Sequence, residues 1–164
     1  MESPHVQEMY LSRAIELAVS NVDNGGGPFG ALIVTADGRE FQGVNRVTAN
    51  NDPTAHAEVT AIRTACAAIE NFDLTGATLY TSCEPCPMCL ASALWARVDH
   101  IVFAADRHDA AAAGFDDAEF YEFFEQPVEE RSMPVVQYAL VGTGAPARTA
   151  PFEQWINLTT RIAY

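Results

Sequence analysis

At 164 residues the chain is long enough to bury one sizeable core, and 49% apolar with 19% charged residues is an ordinary globular balance. Its 22 acidic and 9 basic residues give a net charge of −13, which excludes the basic stripe that a nucleic-acid backbone demands. Glu2, Glu8 and Glu16 near the start, and the lack of any apolar run of about 20 residues, point away from a secretory leader and a membrane span; the expected setting is the cytoplasm, where thiols stay reduced.

Leu11, Ile15, Ala18 or Val19, and Val22 recur at helical spacing and predict a first helix over 4–22, closed by an NGGGP loop. FGALIVT (29–35) and EFQGVNRV (40–47) read as strands joined through Asp37-Gly38, a strong hairpin signal. After DPT (52–54), where Asp52 or Thr54 can cap, Val59, Ile62, Cys66 and Ile69 mark the apolar stripe of a second helix. GATLYTS (76–82) predicts a third strand, PMCLASALWAR (87–97) a third helix and HIVFAA (100–105) a fourth strand. Residues 109–125 are expected to be helical in two pieces broken near Gly114. PVVQYALVG (134–142) is expected to form a fifth strand, and APFEQWINLTTRI (150–162) a last helix. Strands separated by helices from the third onward imply right-handed parallel crossovers and a sheet covered on both faces. No repeat or long linker divides the chain, so residues 1–164 are expected to form one domain.

The chemistry is concentrated in TSCEPCPMC (81–89), with Cys83, Cys86 and Cys89 inside seven positions. In a reducing compartment such a cluster signals a metal or catalysis rather than a disulfide. Cys66 falls on the apolar stripe of its helix and reads as a small core residue. Cys86 and Cys89 flank Pro87, which suits a first helical turn, and a C-x-x-C there lets both sulfurs converge on one ion. On spacing alone, all three clustered cysteines qualify as ligands. An iron-sulfur cluster needs a fourth thiolate, so zinc with one nitrogen ligand is the simpler solution.

His56-Ala57-Glu58 supplies that nitrogen. His56 is expected in the first turn of a helix, as are Cys86 and Cys89, so two positive helix ends would point at the same spot. Residues two apart on a helix diverge by about 200°. Side chains lean toward the helix N-terminus, however, so His56 can reach the metal while Glu58 reaches a water beside it. H-x-E followed by P-C-x-x-C is the signature of the zinc nucleobase deaminases, in which zinc activates water and the glutamate carries protons without being a ligand. By that pattern His56, Cys86 and Cys89 are the ligands, Glu58 is catalytic, and Cys83 is outside the set. A non-catalytic zinc scaffold, the competing reading, would fill the fourth coordination position and have no use for Glu58.

NNDPTAHAEVTAIR, LYTSCEPCPMCLASALWAR, AAAAGFDDAEFY and the ending APFEQWINL…Y resemble the bacterial guanine deaminases of the cytidine-deaminase-like superfamily, over nearly the whole chain. The resemblance implies a three-layer α/β/α fold with a five-stranded mixed sheet and one Zn2+ per chain. It also implies a homodimer in which the C-terminal helix and tail are exchanged between subunits. Residue by residue, it implies that Asn45 hydrogen-bonds a purine, Phe29 stacks on it, Asp117 recognises its N–H edge and Tyr164 closes a neighbouring subunit's pocket. Without the resemblance, Phe29 reads as core, Asn45 as a strand-end turn residue, Asp117 as a helix cap and Tyr164 as a frayed end. The implied reaction is hydrolysis of guanine to xanthine and ammonia, with guanosine, ammeline and cytosine as alternative substrates. A tRNA adenosine deaminase shares the zinc motif but conflicts with the charge.

Overall fold

The computed structural model describes residues 3–140, 142, 144 and 146–164, which fall into two compact units divided after Tyr121. In the first unit, α1 (Pro4–Asp23) starts on a proline, whose missing N–H and fixed φ suit a first turn. It buries Tyr10, Ala14, Ala18 and Asn21 at steps of three and four, the spacing of one helical face. β1 (Gly30–Val34) and β2 (Glu40–Val44) form the predicted hairpin, with Gly38 in the left-handed conformation its turn requires. A four-residue helix, α2 (Val47–Asn50), replaces the end of the predicted second strand.

α3 (Ala57–Ile69), β3 (Thr78–Cys83), α4 (Pro87–Trp95) and β4 (His100–Ala105) then complete a sheet of order β2-β1-β3-β4. β1 runs antiparallel to both of its neighbours, and β3 and β4 are parallel, as the intervening helix demands. One face packs Ala31, Ile33 and Leu79 against Ala61, Ile62 and Ala65 of α3 and Ala93 of α4. The opposite face packs Val34 and Tyr80 against Tyr10 of α1. These are the three layers, α/β/α. The helices lie very close to the sheet: a Cβ on Gly43 would fall 2.3 Å from the Ala57 carbonyl oxygen, and one on Gly30 would fall 2.4 Å from that of Ala14. Hydrogen at both positions lets α3 and α1 approach as they do.

α5 (Arg107–Ala112) opens on a capping box between Asp106 and Asp109. Gly114, at φ +94°, separates it from α6 (Ala118–Glu125), as expected. The second unit contains the end of α6, a single 3-10 turn at Val128–Glu130, and α7 (Ala150–Asn157).

Three expectations need correction. The sheet has four strands among the described residues, not five. Residues 134–140 carry a strand-like apolar pattern but join no ladder, and a strand exists only through its partner's hydrogen bonds; Val141 of the predicted strand lies outside the described residues. The last helix stops at Asn157 rather than 162, because Leu158 is extended and the Arg161 guanidinium donates to the carbonyls of Ile156 (2.7 Å) and Leu158 (3.1 Å). Neither Asp52 nor Thr54 caps α3. Asp52 instead closes a local turn, accepting from the Thr54 N–H at 2.9 Å and from its hydroxyl at 2.6 Å.

Candidate active site

His56 and Cys86 occupy equivalent places: each is the extended residue that immediately precedes a helix, α3 and α4 respectively, and neither side chain caps its own helix. Their side chains turn over the two helix ends and meet. Cys89, one turn into α4 and fully buried, completes the group. His56 Nδ1 is 3.6 Å from Cys86 Sγ and 3.6 Å from Cys89 Sγ, and the two sulfurs are 3.6 Å apart. A tetrahedral zinc with ordinary Zn–S and Zn–N bonds spaces its ligand atoms about 3.5–3.8 Å apart. The triangle has the size and donor chemistry of such a site, and these three residues could hold the metal.

The two thiols are pushed in opposite directions. Hydrogen bonding from Cys89, opposed by burial and aided by His56, pulls the Cys86 thiol down to about 4 and makes it the thiolate of the pair. Cys89, in contact with the Cys86 sulfur and buried beside Glu58, is pushed up. The Cys86 contact raises His56. Cys83 is a bystander to this cluster: burial lifts it to about 11, so it stays a thiol, and its S–H points at the Asp106 carbonyl oxygen 3.7 Å away.

Glu58, in the first turn of α3, is buried, and its burial raises its carboxyl above the ordinary value. One carboxyl oxygen accepts from the Thr81 hydroxyl at 3.2 Å, and the other lies 3.4 Å from Cys89 Sγ. The group opens onto a cleft of about 460 Å³ whose walls include His56, Glu58, Cys86, Asn45, Phe29 and Asp117. Phe29 meets Phe115 edge-to-face at 5.0 Å. Asn45 is fixed by its side-chain oxygen, which accepts from the Val47 N–H at 3.3 Å. The start of α6 is capped by Asp116, which accepts from the Ala118 N–H at 3.0 Å, so Asp117 is free of the capping role that its position suggested. Tyr164 belongs to the second unit, where its ring meets that of Trp155 at 6.2 Å.

Residues 4–105 match the family model for the cytidine and deoxycytidylate deaminase zinc-binding region, and they hold every member of the His-Cys-Cys triangle. The chain belongs to the cytidine and deoxycytidylate deaminase family. Guanine deaminase of Bacillus subtilis is 47% identical to this deaminase over 158 residues, 96% of this chain and 98% of the relative. Its X-ray structure covers the same share of both chains with a TM-score of 0.89. A guanine deaminase structure from Nitrosomonas europaea matches 72% of this chain and 67% of that one at 33% identity, with a TM-score of 0.64. The tRNA-specific adenosine deaminase of Haemophilus influenzae is 38% identical over 117 residues, 67% of each chain.

Several residues that shape the deaminase cleft were not singled out from sequence. Thr81 shares the helix-facing side of β3 with Leu79, and a hydroxyl at a core-facing position was the available signal. Phe115 and Arg107 reach the cleft from the segment after β4. Arg107 is held in place by the Tyr121 ring, 4.8 Å from its guanidinium, and its backbone N–H donates to Glu84 at 3.1 Å. Nothing local in the sequence marks that arrangement.

Proposed function

We propose that the chain is a guanine deaminase that hydrolyses guanine to xanthine and ammonia, a step of purine breakdown, in the cytoplasm. In this reading His56, Cys86 and Cys89 hold one zinc ion per chain, and Glu58 is the proton carrier. The observation that carries it is Glu58 itself: a buried carboxyl against the ligand triangle that also faces the cleft. A structural zinc site has no use for such a group. When bound, the zinc lowers the pKa of a water molecule so that a nucleophile is available near neutrality. Glu58 would take one proton from that water and pass it to the ring nitrogen beside C2, then take the second from the hydroxyl added to C2 as the carbonyl forms and the C–N bond breaks, and pass it to the departing amine. Thr81 orients one of its oxygens, and burial raises its proton affinity into the range where it can both accept and donate.

The base stacks on Phe29, which Phe115 supports from its edge. With its oxygen engaged by Val47, Asn45 presents its NH2 group as a donor to a purine acceptor. Asp117 accepts from the N–H edge of the purine. The whole chain works as one deaminase domain within a homodimer, each tail exchanged so that Tyr164 closes the partner's cleft. Supporting the exchange, Phe152, Ile156, Leu158 and Ile162 remain exposed, more apolar surface than a chain end ordinarily leaves in water. The full-length likeness to the Bacillus subtilis guanine deaminase supports guanine over the alternatives, and the −13 charge disfavours tRNA. Ammonia release from guanine, guanosine, adenine, cytosine and ammeline tests the assignment. Guanine should be the preferred substrate, with one xanthine per ammonia; a higher kcat/KM for any other member of the panel would replace it.

A further inference from the structure

Asn21 lies in the last turn of α1, outside the cleft wall, and is 4% exposed. Its side-chain amide donates both hydrogens: to the Gly27 carbonyl at 2.8 Å and to the Asn45 carbonyl at 2.9 Å. Both partners only accept, so the orientation of the amide is fixed. The Asn21 backbone carbonyl in turn accepts from the Gly26 N–H at 2.8 Å. One residue therefore ties the helix end, the glycine loop and the residue after β2 together. Asn45 is held on its other side too, where its N–H donates to the Phe29 carbonyl at 3.1 Å.

The glycines belong to the same arrangement. A Cβ on Gly26 would lie 2.3 Å from the Asn21 amide nitrogen, and one on Gly27 would lie 3.0 Å from Asn45 Cγ. The loop has no side chains where the two amides pack. An apolar residue at 21 would leave the buried Asn45 carbonyl and the half-buried Gly27 carbonyl without this donor, which costs more than the mean hydrogen bond is worth.

We propose that Asn21 is a positioning residue for substrate affinity: by holding the Asn45 backbone and the 25–27 loop in register, it sets where the Asn45 amide meets the base. The proposal rests on Asn45 contacting the substrate. Asn21 touches neither the ligand triangle nor Glu58, so the consequence is confined to binding.

Steady-state kinetics on the zinc-loaded enzyme test it, with metal content and circular dichroism measured for each variant. Asn21→Ala should raise KM for guanine about tenfold and leave kcat within about twofold, as loss of one well-made hydrogen bond used equally in ground and transition states would. Gly27→Ala, which crowds the Asn45 amide from the loop side with Asn21 intact, should raise KM in the same manner and keeps the test available if Asn21→Ala does not fold. Asn21→Ala combined with Asn45→Ala should have the KM of Asn45→Ala alone, because one residue acts through the other. Multiplying KM effects, or a fall in kcat with KM unmoved, would show a general structural role and overturn the proposal. If Asn45→Ala raises KM and neither Asn21→Ala nor Gly27→Ala does, positioning alone is refuted. If Asn45→Ala leaves KM unchanged, the substrate role of Asn45 fails first and the proposal fails with it.

Discussion

Leu32, Ile33 and Leu79 in the first unit are 0% exposed, whereas Val136 and Tyr138 in the second keep 82% and 84% of their surface. Both sets come from stretches that look like strands in the sequence. The difference lies in pairing: β1 and β3 supply ladder partners to each other and are covered by α1 and α3, while residues 134–140 have no ladder partner among the described residues. Apolar patterning states that a segment needs cover, and it does not state which chain provides it. The central strands β1 and β3 meet that need within the first unit. For the second, the proposed exchange with another copy is the answer that also gives Tyr164 a function.

The largest effect that could break this contrast is kinetic. A chain lacking residues 161–164 and a chain carrying Glu58→Ala should each lose at least about 10²-fold in activity, the low end for removing a general acid-base or its enclosure. Mixed and allowed to exchange subunits, they should regain activity, since the intact tail of one can cover the intact site of the other. Mixed dimers identified by mass spectrometry that stay inactive would show that the tail does not act across subunits.

Stability provides the next test. Leu79→Ala should cost about 2–5 kcal/mol at any protein concentration, as a core truncation does. Val136→Ala should cost under about 0.5 kcal/mol at high dilution, as an exposed substitution does. If a second copy covers this stretch, that cost should grow with protein concentration in thermal melts, because association stabilises by mass action. A cost that stays small at every concentration would leave the second unit's apolar face uncovered.

The smallest effect concerns Asp117. Burial, reinforced by the Cys86 thiolate, raises its carboxyl above the ordinary 3.8, so the folded chain holds this proton more tightly than the unfolded chain. Its contribution to stability is complete below pH 3.8 and is lost as pH rises through the raised value, leaving the ionised carboxylate as a cost at neutrality. Asp117→Asn should therefore melt slightly higher near pH 7, with the difference closing below pH 3.8, while guanine turnover falls more than turnover of other substrates. Equal loss on every substrate would mark a structural role.

That His56, Cys86, Cys89 and Glu58 come together was legible because their signals are local. H-x-E and P-C-x-x-C each span a few residues, and each opens a helix, so convergence followed once the strand order put α3 and α4 on the same face. The hairpin at Gly38 and the break at Gly114 were legible for the same reason. The α3 cap was misread because Asp52 satisfies a turn of its own, and the residue that precedes α3 is His56, whose side chain does not cap it. Asn21 was not legible, since its acceptors are 6 and 24 residues away and only the fold brings them together. The fifth strand was overcalled because β-propensity describes a surface that wants a neighbour, and the neighbour is not written in the segment.

Zinc content measured beside guanine turnover in Glu58→Gln and Cys86→Ser separates metal binding from proton transfer most directly. Glu58→Gln should retain one zinc per chain and lose about 10³-fold or more in kcat, since proton transfer and orientation of the water both pass through the carboxylate. Cys86→Ser should lose both the metal and the activity, while Cys83→Ser keeps the metal. Near-normal turnover in Glu58→Gln, or full zinc in Cys86→Ser with loss in Cys83→Ser, would contradict the account.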